Sequence, residues 1–155
     1  MNMEQDNVRQ VNVKHALDQF KNLFNFRRKF RVLMVEDDAC MKPLMARIFY
    51  SYKPNVDLRW VTSLTDGKQA LLEEEFDLIV TDYLLSDGPH GIELRRLTKL
   101  IQPKARVLLV SGYSLKILEK DSGVSLQEVS FLQKPFRVSE CFEALHGLSS
   151  IGVSK

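Results

Sequence analysis

Three short apolar runs, each closed by a polar group, constrain the fold of this chain more than anything else in it. Val32-Leu33-Met34-Val35, Leu78-Ile79-Val80 and Val107-Leu108-Leu109-Val110 carry no polar residue on either face. A strand apolar on both faces must be covered on both, which places it inside a parallel sheet flanked by helices. The segments between the runs supply those helices. Met41, Leu44, Met45, Ile48, Phe49 and Tyr52 recur at i, i+3, i+4, i+7, i+8 and i+11, one face of a helix. Pro43 fits near the start of that helix, where amide groups lack intrahelical acceptors. Val56, Leu58 and Trp60 alternate with polar residues and predict a half-exposed edge strand. Helices over 66–74, 92–101, 114–120 and 138–148, with strands over 76–81 and 130–132, complete the pattern, and Pro103 stops the second of these helices. The sum is five β/α pairs: a doubly wound α/β fold around a five-stranded parallel sheet, (βα)5.

Size and composition agree with one such domain. The chain has 155 residues, 45% hydrophobic and 27% charged, enough for one sizeable core. No apolar run exceeds four residues, against roughly 20 for a membrane-spanning helix. No charged and then apolar opening marks a secretory signal, so a cytoplasmic address without a membrane span is expected. Cys40 and Cys141 stand about 100 residues apart with no Cys-x-x-Cys spacing. Neither a disulfide framework nor a zinc site is expected of them, and both are read as small buried hydrophobes.

Charge divides the chain unevenly. Residues 1–31 hold seven Lys and Arg against three Asp and Glu, whereas the remainder holds fifteen against seventeen. The basic excess therefore belongs to an N-terminal extension, residues 1–30, and the body, residues 31–150, is mildly acidic and unlike a nucleic-acid binder. In the extension, Val13, Leu17, Phe20, Leu23 and Phe24 fall at helical spacing before Phe26-Arg27-Arg28-Lys29-Phe30. Such a helix can pack on its own domain, dimerise or dock on a partner, or touch a membrane surface or nucleic acid. Its aromatic load favours self-association or docking over catalysis, and the polar first ten residues are expected to be disordered.

Each central strand stops at a group that can bind or react: Glu36-Asp37-Asp38, Thr81-Asp82, Ser111-Gly112 and Gln133-Lys134-Pro135. Taken singly, each has a bland reading. Carboxylates favour helix N-termini, an Asp makes Asx turns, and a lone Lys is usually solvated. Four strand ends together are different, because ligands of an open parallel sheet bind beyond the strands' carboxyl ends. Three carboxylates in one crevice repel and require a cation, and hard oxygen ligands suit Mg²⁺ shared with a phosphate. With Mg²⁺ and Lys134 present, Asp82 stays ionised and serves as a nucleophile toward phosphorus. Ser111 can hydrogen-bond a phosphoryl oxygen.

The segments VLMVEDD, DLIVTDYLL, GIEL, VLLVSGY and FLQKPF, with their spacing over about residues 31–148, resemble the receiver domain of two-component response regulators, the CheY-like family. The resemblance implies a flavodoxin-like receiver fold and a phosphorylation-driven switch that catalyses its own phosphorylation and dephosphorylation. It implies Asp82 as phosphoacceptor, Glu36 and Asp37 as the Mg²⁺-binding acids, and the Leu84 carbonyl as a further metal ligand. By the same resemblance Ser111 is the switch hydroxyl, Lys134 the phosphate-binding lysine and Phe131 the switch aromatic. The implied partner is a histidine kinase or histidine phosphotransfer protein. Self-association is expected through the N-terminal helix or through the face of the fourth helix, fifth strand and fifth helix. No DNA-binding output domain is expected in this chain.

Two features depart from the family. Ser86 stands where proline is usual, and Asp82 to Gly91 is one residue longer than common, so Asp87-Gly88-Pro89-His90 must make its own turn, with His90 expected in solvent. Leu84 and Tyr113 occupy the two positions that, in the family, flank the path of the water that hydrolyses the aspartyl phosphate; apolar and bulky, they imply slow hydrolysis. Two rivals remain on sequence grounds. A receiver-like interaction module working without phosphorylation would be marked by loss of Asp82, Asp37 or Lys134, and none is lost. A haloacid-dehalogenase-type phosphohydrolase would want an Asp two residues after its nucleophile, where this chain has Leu84.

Overall fold

The computed structural model describes residues 28–86 and 91–150. Five strands, β1 (Phe30–Val35), β2 (Val56–Val61), β3 (Leu78–Asp82), β4 (Arg106–Ser111) and β5 (Ser130–Gln133), alternate with five helices. These are α1 (Met41–Tyr52), α2 (Leu64–Glu73), α3 (Gly91–Ile101), α4 (Leu115–Ser122) and α5 (Val138–Ser150). All strands run parallel in the order β2-β1-β3-β4-β5. This is the expected (βα)5 fold. β3 is buried at every position, while β2, half-buried throughout, forms one edge.

Alternation along the strands divides the core between the two faces. Val32, Met34, Leu78, Val80, Leu108 and Val110 pack against Met45, Ile48 and Phe49 of α1 and Cys141 and Leu145 of α5. Leu33, Val35, Ile79 and Val107 face Leu64, Ala70 and Leu71 of α2 and Leu94 of α3. A third cluster, Tyr83, Ile92, Leu109, Leu118 and Leu126, lies under α4. Among the described residues no helix is long and apolar enough to cross a membrane.

Several local expectations are adjusted by tertiary context. α2 starts at Leu64 rather than 66, because Ser63 caps it: the Ser63 hydroxyl accepts from the Asp66 amide at 3.1 Å. Cys141 is buried, and burial pushes its thiol up to about 11. Cys40, expected to be buried, is exposed. It lies in the turn leaving β1, where its amide donates to Asp38 Oδ1 at 2.9 Å, outside the helical stripe that reaches the core. The expected N-terminal helix up to residue 27 and the turn at 87–90, His90 included, fall outside the described residues.

Gln102, just past α3, ties three backbone groups together. Its Oε1 accepts from the Phe76 amide at 2.9 Å, and its Nε2 donates to the carbonyls of Leu71 at 2.8 Å and Glu74 at 2.6 Å. The side chain therefore holds the end of α2 and the entry to β3 against α3. Gln102→Ala would leave those groups without it, and is expected to lower unfolding stability by about 2 kcal/mol. Urea denaturation reads this as a lower midpoint at unchanged slope.

Candidate functional site

The site is assembled from the ends of four strands at one edge of the sheet. Glu36 directly follows β1, its amide tied to the Val61 carbonyl at 3.0 Å, and its side chain is fully buried. Asp82 and Ser111 are the last residues of β3 and β4, both buried. Lys134 follows β5, its amide donating to the Ser111 carbonyl at 2.7 Å. Parallel pairing puts these ends side by side, beyond the strands' carboxyl ends, where ligands of an open parallel sheet bind.

Lys134 is the hub. Its Nζ donates to Glu36 Oε2 at 2.6 Å and to Asp82 Oδ2 at 2.7 Å. The second oxygen of each carboxylate is held by the amide two residues onward: Glu36 Oε1 by Asp38 at 3.1 Å, and Asp82 Oδ1 by Leu84 at 3.1 Å. Both carboxylates are thus fixed at both oxygens. Burial pushes the Glu36 carboxyl above its usual range and the Asp82 charge adds to this, while the bonds from Lys134 and the Asp38 amide oppose it. For Lys134, burial pulls the ammonium down. The hydrogen bonds and charges of Asp82 and Glu36 outweigh that, leaving it above the ordinary lysine range and charged.

Asp37 is exposed, and its carboxylate lies with those of Glu36 and Asp82 so that one oxygen from each falls within 4.8 Å of the others. Among the described residues, Lys134 is the one ammonium bonded to this group of three carboxylates. A divalent cation fits this surplus: the donors are hard oxygens, and one of them is open to water.

The other sequence-predicted residues surround this core. Leu84 enters through its backbone amide, and the residue is 45% exposed. The Ser111 hydroxyl accepts from the Tyr113 amide at 3.1 Å, and Tyr113 is 49% exposed. Phe131 does not join the carboxylates. It sits on β5 opposite Leu109 and packs against the cluster that contains Tyr83 and Leu118.

Two neighbours of the site escaped sequence reasoning. A Cβ added to Gly91 would stand 2.5 Å from the Asp82 carbonyl oxygen and 2.8 Å from Tyr83 Cα, so α3 approaches the acidic strand end closely enough to demand glycine. The signal was available as a glycine opening a helical pattern. Tyr83, adjacent to Asp82, is buried and bonded to Asp121 of α4, a long-range pairing that no local pattern marks.

Residues 32–146 match the family model described as the response regulator receiver domain. The chain is 28% identical over 113 residues to the response regulator receiver protein CpdR of Brucella abortus (strain 2308), covering 71% of this chain and 88% of that protein. Among solved structures it resembles a response regulator receiver protein from Sinorhizobium medicae WSM419, with TM-score 0.67 and 20% identity over 79% of this chain and 96% of that one. It also resembles the receiver domain of a sensor histidine kinase from Pseudomonas aeruginosa PAO1, whose structure has a magnesium ion coordinated in the active site cleft. There the TM-score is 0.62 and the identity 17%, over 79% of this chain and 99% of the other.

Proposed function

This chain belongs to the response regulator receiver domain family, and from that premise we propose that it accepts a phosphoryl group from a phosphohistidine donor onto Asp82 and signals by a change of conformation. The carrying observation is the bridge from Lys134 to Asp82 Oδ2 at 2.7 Å within a cluster of three carboxylates. The donor is a histidine kinase or histidine phosphotransfer protein.

Glu36, Asp37 and Asp82, with the Leu84 carbonyl, would hold Mg²⁺, which supplies positive charge beside the phosphoryl oxygens. The chain's own groups do the rest. An Asp82 carboxylate oxygen attacks phosphorus, the P–N bond of the donor breaks, and the imidazole nitrogen leaves with the electron pair. Lys134, kept protonated by its carboxylate partners, stabilises charge on the transferring group. Ser111 Oγ already accepts an amide from Tyr113, so its own O–H remains to donate to a phosphoryl oxygen. That pull on Ser111 is the first move of the switch, and Phe131 follows it, altering the face formed by α4, β5 and α5. The phosphoryl group must bind the altered arrangement more tightly for the population to shift.

Beryllofluoride, a phosphoryl mimic, tests this in the NMR amide spectrum. Shifts should reach α4, β5 and α5 as well as Asp82, Leu84 and Ser111. Shifts confined to the neighbourhood of Asp82 would contradict the conformational signal, and none at all would contradict the acceptor role.

The phosphorylated state should be long-lived. Leu84, two residues after Asp82, and Tyr113, two after Ser111, are exposed; Leu84 offers an approaching water no side-chain hydrogen bond, and the bulk of Tyr113 is expected to hinder it. Leu84→Asn is expected to shorten the lifetime roughly tenfold, about 1.4 kcal/mol of barrier. Decay of the phosphorylated protein after donor removal measures it; an unchanged or longer lifetime contradicts the shielding argument.

A further inference from the structure

α4 has a slender apolar footing. Of its eight residues only Leu118 is buried, against three in α1 and four each in α2 and α3. A polar bond supplements it. Tyr83 Oη donates to Asp121 Oδ2 at 2.6 Å, the short distance of a charge-assisted hydrogen bond. Tyr83 is 2% exposed and lies in the cluster of Ile92, Leu109, Leu118 and Leu126, on which Phe131 also packs. Its main chain is fixed as well: the amide donates to the Val110 carbonyl at 2.7 Å, and the carbonyl accepts from Gly91 at 3.2 Å. The residue directly after Asp82 is therefore clamped to β4 and α3 by its backbone and to α4 by its hydroxyl.

We propose that the Tyr83–Asp121 hydrogen bond restrains α4 in its resting position, making Tyr83 a positioning residue that sets how readily the Asp82 site adopts its phosphorylated arrangement. The regulatory half of this inference rests on Asp82 being the acceptor. A bond present in one arrangement and weakened in the other biases the equilibrium by its differential strength. Removing it lowers the cost of moving α4, and any ligand that favours the moved state binds more tightly as a result. A merely structural bond would instead weaken the whole fold and leave that balance alone.

Tyr83→Phe keeps the ring in its cluster and deletes only the donor. Asp121→Ala deletes the acceptor, and Asp121→Asn keeps one. Two measurements on the full chain separate the possibilities: amide hydrogen exchange without any phosphoryl donor, and beryllofluoride affinity with Mg²⁺ by NMR titration. Tyr83→Phe and Asp121→Ala are expected to speed exchange in α4 roughly tenfold relative to β3 and β4, and to tighten beryllofluoride roughly tenfold, the scale of one hydrogen bond to a charged group. Asp121→Asn, which keeps an acceptor but not its charge, should fall between wild type and Asp121→Ala in both. Exchange that is unchanged in α4, or accelerated equally in helix and strands, overturns the restraint. Faster α4 exchange with unchanged beryllofluoride affinity overturns its regulatory role. Wild-type protein that binds no beryllofluoride contradicts the Asp82 acceptor reading and the regulation built on it, while α4 exchange still decides the restraint by itself.

Discussion

Replacing Gly91 by alanine is expected to cost about 3 kcal/mol, the upper end of what overpacking a tight site usually costs. The added methyl would meet the Asp82 carbonyl oxygen at 2.5 Å and Tyr83 Cα and Leu109 Cδ1 at 2.8 Å. Two of these are backbone atoms of the strand end that carries the acidic site, so relief must come from moving α3 or the end of β3. Movement of the β3 end would shift the Asp82 carboxylate relative to Lys134. Gly67→Ala is the internal comparison. There the nearest atoms are side-chain carbons, Val35 Cγ2 at 3.2 Å and the Leu94 methyls at 3.4 Å, which can yield, so the cost should be about 1 kcal/mol or less. Urea denaturation of the two variants checks both figures. Equal midpoints would contradict the argument that backbone contact is what makes Gly91 irreplaceable.

Removing the positive charge at the hub should show in two observables. In Lys134→Met, Glu36 and Asp82 would remain side by side without their shared cation. Breaking a fully buried ion pair costs about 3–5 kcal/mol. Lys134 keeps 21% of its side chain in solvent, so about 2 kcal/mol is expected in metal-free buffer. Mg²⁺ should restore part of this loss, because a cation that binds only the folded chain stabilises it by mass action. Phosphoryl acceptance should fall on the order of a hundredfold even with Mg²⁺ present, as for loss of one preorganised charge-stabilising group. Denaturation with EDTA and with Mg²⁺, paired with acetyl phosphate labelling rates, reads both effects. A variant as stable as wild type in EDTA would contradict the charge balance described for the site.

The fold was legible because its strongest signals are local. The runs at 32–35, 78–80 and 107–110 are apolar on both faces, and such strands are stable only in a covered parallel sheet. Three residues of the site were legible for the same reason, since Glu36, Asp82 and Ser111 close those strands, and Lys134 closes the shorter β5; parallel pairing then brings all four to one edge. Their bonds are a different matter: which oxygen Lys134 takes, and which amides hold the others, depends on side-chain placement across about 50 to 100 residues of sequence. The same limit applies to the Gln102 tie and the Tyr83–Asp121 bond, whose partners lie 26 to 38 residues apart. Cys40 was misplaced for a local reason. Between an apolar strand and an apolar helix stripe it reads as interior, yet it sits in an exposed turn after β1, its amide bonded to Asp38.

The central claim is that Asp82 carries the phosphoryl group in a Mg²⁺-dependent reaction. Incubation of the full chain with acetyl phosphate and Mg²⁺, followed by intact-mass spectrometry, tests it most directly. The account predicts the gain of one phosphoryl group, absent with EDTA and absent in Asp82→Asn with Mg²⁺. No gain in the wild-type chain, or an undiminished gain in Asp82→Asn, would contradict it.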